Sequence, residues 1–336
     1  MAKTVADRGD GPQRVLMVFL DGVGVGPDDP STNPLAAADS KVLRGLLEGR
    51  RVVAESLPFI GERASMLGLD ATLGVDGLPQ SGTGQAALLT GVNAAERFGR
   101  HFGPYAPTQL RGILEHESIL ARASRAGYSV AFANAYPAEL IAMAGGTGRL
   151  PLPLRAAIVV AALGAGVLNR NEDDLVSGNA VASEITHQRW REMTGRSDIP
   201  DITPVDSGRN LARIANAHDL TLFAHYATDS AGHLHDVNAG IATWQRVDGF
   251  IGGVVSDLSE DALMIITSDH GNLEDARTQH TRNPAVCIVV GPGHRALATN
   301  LRSLTDVTPA LLDLLQARDR RSQTSSDQAS SELMTI

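Results

Sequence analysis

Residues 14–26, RVLMVFLDGVGVG, decide the fold. From Arg14 to Leu20 the chain runs through Val, Leu, Met and Phe with no polar alternation, the pattern of a central strand buried on both faces. The run stops at Asp21, and Gly22, Gly24 and Gly26 make the next stretch a loop. A lone Asp-Gly is most often just a turn. At the carboxyl end of a buried strand in an α/β sheet, however, it lies where such sheets collect ligands. The three glycines do not open a helix but run into Pro27-Asp28-Asp29-Pro30, so they are not a dinucleotide-binding fingerprint, and the chain has no GxxxxGK[ST] loop.

Two more strand-like runs end the same way. Leu220–His225 leads into Thr228-Asp229, and Leu263–Thr267 leads through Ser268 into Asp269-His270. Val286–Val290 reads as another short strand and Gly127–Ala133 as a turn and a strand, while 39–49, Ala157–Leu168, Ala242–Leu258 and Asp306–Leu315 carry helical texture, with Asp306 as a cap. Strands alternating with helices predict an α/β fold, a mostly parallel central sheet with helices on both faces and a small inserted cap region. Residues 13–97 form the first part of the core and 206–318 the second. Residues 98–205 mix core elements with an inserted cap or substrate-specificity region, 1–12 are a mobile lead, and 319–336, rich in Ser, Arg, Gln, Asp and Glu, are expected as a disordered tail. No internal repeat interrupts this order.

Composition narrows the function classes. The 336 residues suffice for one large α/β core with an insertion. Thirty-eight acidic against 29 basic side chains leave a formal charge of -9, and aromatics make up 4% of the chain, which argues against a nucleic-acid surface. A phosphorylated substrate needs a local reversal of that field, which bound cations supply directly. Cys287 is the chain's single cysteine, in the strand-like AVCIVV, so neither an intrachain disulfide nor a thiolate zinc site is available. No signal-peptide pattern and no run of eighteen apolar residues is present, so no membrane partner is expected and the setting expected is cytoplasmic.

The polar residues at the strand ends supply the chemistry. Asp229 and His233 are four residues apart, one helical turn or a compact loop, and His280 follows His270 by ten residues. Five of the ten histidines fall between 225 and 280. Each is individually explicable as a turn, cap or surface residue; together, after buried strands, carboxylates and imidazoles form a donor set suited to zinc or manganese. Ser81, in Ser81-Gly82-Thr83-Gly84 before a helical run, offers a hydroxyl where backbone N–H groups can hold an anion, with Thr83 as the rival. Coordination of such an oxygen to a metal makes it a nucleophile without a histidine base.

Taken in order, VFLDGVG, QSGTGQAALLTG, TDSAGHLHD, TSDHGNLED and QHTRNP resemble the alkaline phosphatase superfamily, in particular the metalloenzyme branch with cofactor-independent phosphoglycerate mutase and phosphopentomutase. The resemblance covers about 14–95 and 218–317. It implies two divalent metal ions, manganese or zinc: one held by Asp21, Asp269 and His270, the other by Asp229, His233 and His280. Spacing to Gly91 in the family pattern selects Ser81 over Thr83 as nucleophile and metal ligand. The implied activity is that of a two-metal phosphomonoester hydrolase acting through a phosphoserine on a small phosphorylated metabolite. A phosphomutase is the close alternative, and a non-catalytic metal-binding protein of the same fold the distant one. The long mutases carry a large inserted domain, whereas about 110 residues separate the core halves here. No Cys-x-Pro-x-Arg segment is present to supply a sulfatase nucleophile. Asn33, Arg100, His101, Tyr105 and Arg111 are the candidates for holding substrate, the arginines because they bind phosphate bidentately. Oligomeric state is not legible.

Overall fold

The computed structural model describes residues 11–144 and 150–333, with side chains as far as 320. Seven strands form one sheet: β1 (Arg14–Leu20), β2 (Phe59–Ile60), β3 (Ala64–Leu69), β4 (Val130–Phe132), β5 (Leu220–His225), β6 (Ala262–Thr267) and β7 (Ala285–Val290). Their order is β2-β3-β7-β6-β1-β5-β4. β1 is parallel to both β5 and β6, and β4 is parallel to β5, so the centre is parallel. β7 runs antiparallel to β6 and β3, and β2 antiparallel to β3.

The β1 sequence explains its central place. Val15, Met17 and Phe19 enter one hydrophobic cluster and Leu16, Val18 and Leu20 the other, so every side chain after Arg14 is covered. Truncating a fully buried aromatic such as Phe19 to Ala would cost about 3–5 kcal/mol. The first face is covered by the helices Ser81–Thr90, Arg111–Glu117, Ile119–Arg125, Ala157–Gly164 and the start of Leu304–Leu333. The second is covered by Lys41–Leu46, Pro204–Asn216 and Val237–Asp257, the last anchored by Trp244, Val247, Phe250 and Ile251.

Residues 98–205 contribute to the core: β4 closes one edge of the sheet, and Ala157–Ala162 is buried throughout. Part of the same segment builds a satellite cluster of Ala135, Leu175, Ala180, Ala182, Trp190 and Ile199, separate from both main cores. The disordered tail expected from 319 differs from the structure, in which one helix runs from Leu304 to Leu333. Its first half is fixed by Val307, Leu311 and Leu315 in the core, and no Gly or Pro after Pro309 stops the helix. Residues 334–336 of that tail, and 1–10 of the expected mobile lead, lie outside the described residues. No helix among the described residues is long and apolar enough to cross a membrane.

Candidate active site

Because β6, β1 and β5 are adjacent and parallel, the residues following them emerge on one edge of the sheet. There Asp21, Asp269 and His270 converge, each offering a ligand atom within 4.8 Å of the others, and Asp229, His233 and His280 do the same. All six metal-ligating residues expected from the sequence thus fall into two groups, in the expected threes.

The first group is buried. His270 Nε2 lies 3.3 Å from Asp21 Oδ1 and 3.7 Å from Asp269 Oδ2. Asp269 Oδ2 is buried without a hydrogen-bond partner, while its Oδ1 accepts from the Gly22 amide at 3.3 Å. Burial and the charge of Asp21 push the Asp269 carboxyl up to about 8, and burial raises Asp21 as well. Burial opposes charge on His270, yet the carboxylates of Asp269 and Asp21 outweigh it and lift the imidazole to about 10. Two crowded, desolvated carboxylates and an orphan oxygen form a pocket of excess negative potential, which a divalent cation resolves.

The second group is more open. Asp229 Oδ2 is 3.2 Å from His233 Nε2, and its Oδ1 is 3.6 Å from His280 Nε2. The His233 side chain is 39% exposed and that of His280 only 9%. Nδ1 of His280 faces the Pro79 carbonyl at 2.8 Å, which leaves Nε2 as the atom that could bind a metal, with the carbonyl as the usual outer support of such an imidazole. Burial, then the neighbouring His270, holds His280 down at about 4, in the neutral form that binds metal. The His270 and His280 rings stack at 4.1 Å, so the two groups abut.

Ser81 is the first residue of the Ser81–Thr90 helix, after Gln80 in extended conformation. Its Oγ is 3.0 Å from His270 Nε2 and 3.4 Å from Asp21 Oδ1. Thr83, the rival hydroxyl, is turned away: its Oγ1 contacts the carbonyls of Gln80 and Phe102 and accepts from the Phe102 amide at 3.1 Å. Gly82 is required there, because a Cβ would collide with the carbonyls of Tyr105 and Phe102. Gly22 is likewise required: its φ is 65°, and a Cβ would strike the Asp229 side chain.

The substrate candidates divide. Asn33 is buried and takes the capping role: its Oδ1 accepts from the Leu35 amide at 2.9 Å and its Nδ2 donates to the Pro27 carbonyl at 2.8 Å. Each end of the amide thus serves the loop and helix cap. The 102–105 loop, including Tyr105, packs on the start of the Ser81 helix. His101, next to it, turns Nε2 to the Val75 carbonyl at 3.2 Å, and burial lowers its pKa. Arg100 lies over the rings of Phe98 and Phe102, 5.8 Å from each. Arg111 has a buried Nε without a partner.

Four supporting residues escaped the sequence reading. Gln85 donates to Asp21 Oδ2 at 3.2 Å from one turn beyond Ser81. Asn272 donates to Asp229 Oδ1 at 2.7 Å, and Thr228 to the Asp21 carbonyl at 2.6 Å. Buried Glu274 accepts from the amides of Gly24 and Asn272, both at 2.8 Å, and from Thr281, tying three ligand loops together. Spacing held a signal for Gln85, at i+4 from Ser81; Glu274 had none beyond its nearness to the Asp-His pair.

Comparison with known proteins agrees with this geometry. Residues 200–319 match the family model of the metalloenzyme superfamily. The 2,3-bisphosphoglycerate-independent phosphoglycerate mutase of Desulforudis audaxviator is 33% identical over 127 residues, 34% of this chain and 25% of that protein. Its counterpart from Moorella thermoacetica is 35% identical over 106 residues, 29% of this chain and 21% of that one. The matches thus span about a quarter of the length of these curated relatives. The solved structure of the PH0037 protein from Pyrococcus horikoshii shares the fold, with a TM-score of 0.53 and 13% identity over 91% of this chain and 97% of that one. The sequence match over residues 200–319, the sheet order and the paired ligand groups together support a likeness to the metalloenzyme superfamily.

Proposed function

We propose that the protein is a two-metal phosphomonoester hydrolase that works through a phosphoserine at Ser81. The observation that carries this reading is the position of the Ser81 hydroxyl, at a helix N-terminus and within reach of His270 and Asp21, beside two carboxylate–imidazole groups. The residues fit divalent cations, manganese or zinc, with Asp21, Asp269, His270 and the Ser81 oxygen at one centre and Asp229, His233 and His280 at the other. When bound, such cations supply Lewis acidity to the phosphoryl oxygens and favour the serine alkoxide. Ser81 Oγ bonds to phosphorus as the bond to the ester oxygen breaks, and the alcohol departs with that oxygen. At the start of the Ser81 helix the Thr83 and Gly84 amides are already given to the Phe102 and Gln80 carbonyls, which leaves those of Ser81 and Gly82 to meet the charge that builds on the phosphoryl oxygens. Water then cleaves the phosphoserine and releases inorganic phosphate.

A small phosphorylated metabolite is the substrate class, with Arg100, His101 and Arg111 among the candidates to hold it, in a cytoplasmic setting. The satellite cluster between Ala135 and Ile199 is the proposed specificity element. A phosphomutase is the second reading, favoured by the relatives named phosphoglycerate mutases; in it a substrate hydroxyl rather than water takes the phosphoryl group. The short segment between the core halves favours a hydrolase or a compact, divergent mutase over a long mutase. A panel of phosphoesters with manganese or zinc separates the two: the proposal expects inorganic phosphate, and exclusive formation of an isomeric phosphoester would replace it with the mutase. Turnover unchanged by Ser81→Ala would remove both.

A further inference from the structure

Tyr226 is the residue of the site that none of these roles uses. It follows β5 directly and stands at the N-cap of the Ala227–Gly232 helix that carries Asp229. Its ring packs on the first face of the sheet, the face covered by the Ser81 helix, edge-on to Phe19 with centroids 6.3 Å apart. Phe19 is two residues before Asp21, so the phenol lies along the edge where the first ligand group gathers. The Tyr226 hydroxyl is buried and makes no hydrogen bond of good geometry. The groups that bear on it are the Tyr136 hydroxyl and the carboxylates of Asp21 and Asp269. A buried phenol without a well-formed hydrogen bond is destabilising, and a ligand oxygen arriving at the site would relieve it. Burial holds this phenol well above the usual tyrosine range, so it keeps its proton and can donate it in a hydrogen bond.

We infer that the Tyr226 hydroxyl donates a hydrogen bond to a phosphoryl oxygen held at Ser81, with Tyr136 as its positioning residue. The inference rests on the phosphoester reading of the site. Tyr136 lies 6.2 Å from Phe132 between ring centroids and precedes the Ala138–Ala144 helix, so the pair joins the site to the segment proposed to set specificity. The donor acts on an oxygen that keeps its bonds throughout, so it serves esters of good and poor leaving groups alike.

The test uses the manganese-loaded protein and its Tyr226→Phe and Tyr136→Phe variants, which keep the rings in place. Metal content, kcat and KM for one aryl and one alkyl phosphate, and inorganic phosphate affinity by calorimetry are measured. Tyr226→Phe is expected to retain its metal, to lose about 10- to 100-fold in kcat on both esters and to bind phosphate about 10-fold more weakly. Tyr136→Phe should lose a few-fold in both quantities. Unchanged kcat and phosphate affinity in Tyr226→Phe, or a loss confined to the alkyl ester, would overturn the assignment. If the wild-type protein binds phosphate but turns over neither ester, the hydrolase reading falls, and the phosphate affinities alone decide on Tyr226. If it does neither, both fall.

Discussion

The two ligand groups share residue types but not surroundings. Asp21, Asp269 and His270 are buried, whereas in the other group Asp229 is half-buried, His233 exposed and only His280 covered. The buried group is made by the ends of two central strands and cannot relax away from its own charge. The open group is made by a helix and a loop and keeps access to water. On the proposed reading, the buried centre would hold its ion tightly and present Ser81, and the open one would exchange its ion and meet substrate.

Three predictions test that contrast, from the largest effect to the smallest. Ser81→Ala should lower kcat by ~10⁴-fold while both metal equivalents remain, measured by steady-state kinetics and elemental analysis. Asp269→Asn, which removes a charge from the buried group, should cost ~10²- to 10³-fold and one metal equivalent. His233→Ala, at the exposed edge, should cost ~10-fold in metal affinity and leave activity largely recoverable by excess manganese. If Asp269→Asn and His233→Ala behave alike, the two centres are not distinguished by burial.

A fourth prediction lies outside both groups. His225 is buried at the end of β5, and burial holds its pKa at about 4 against 6.5 for a free imidazole. The unfolded chain therefore takes up the proton first, and stability is lost as pH falls from about 6.5 to 4, by at most roughly 3 kcal/mol. Chemical denaturation across that window should show a shallower slope for His225→Gln.

How much of this was legible depends on how each part is encoded. β1 and β6 announce themselves as apolar runs and β5 as one broken by Thr221, and each run leads into a candidate ligand. β3 is interrupted by Ser65 and Gly68, and β2 is only two residues long, so neither carries a period to read. The antiparallel direction of β7 is set by its pairing with β6 and β3, which local sequence does not contain. Asn33 was ambiguous because an amide beyond a glycine loop suits a cap and a substrate contact equally, and only its folded partners show the cap. Glu274 was invisible because its work is to join Gly24, Asn272 and Thr281, residues drawn together only by the folded sheet edge.

Anomalous diffraction from crystals of the manganese-loaded protein tests the central claim most directly. The account predicts two peaks: one within bonding distance of Asp21, Asp269, His270 and the Ser81 oxygen, the other among Asp229, His233 and His280. A single peak, or two peaks with the Ser81 hydroxyl remote from both, would contradict it.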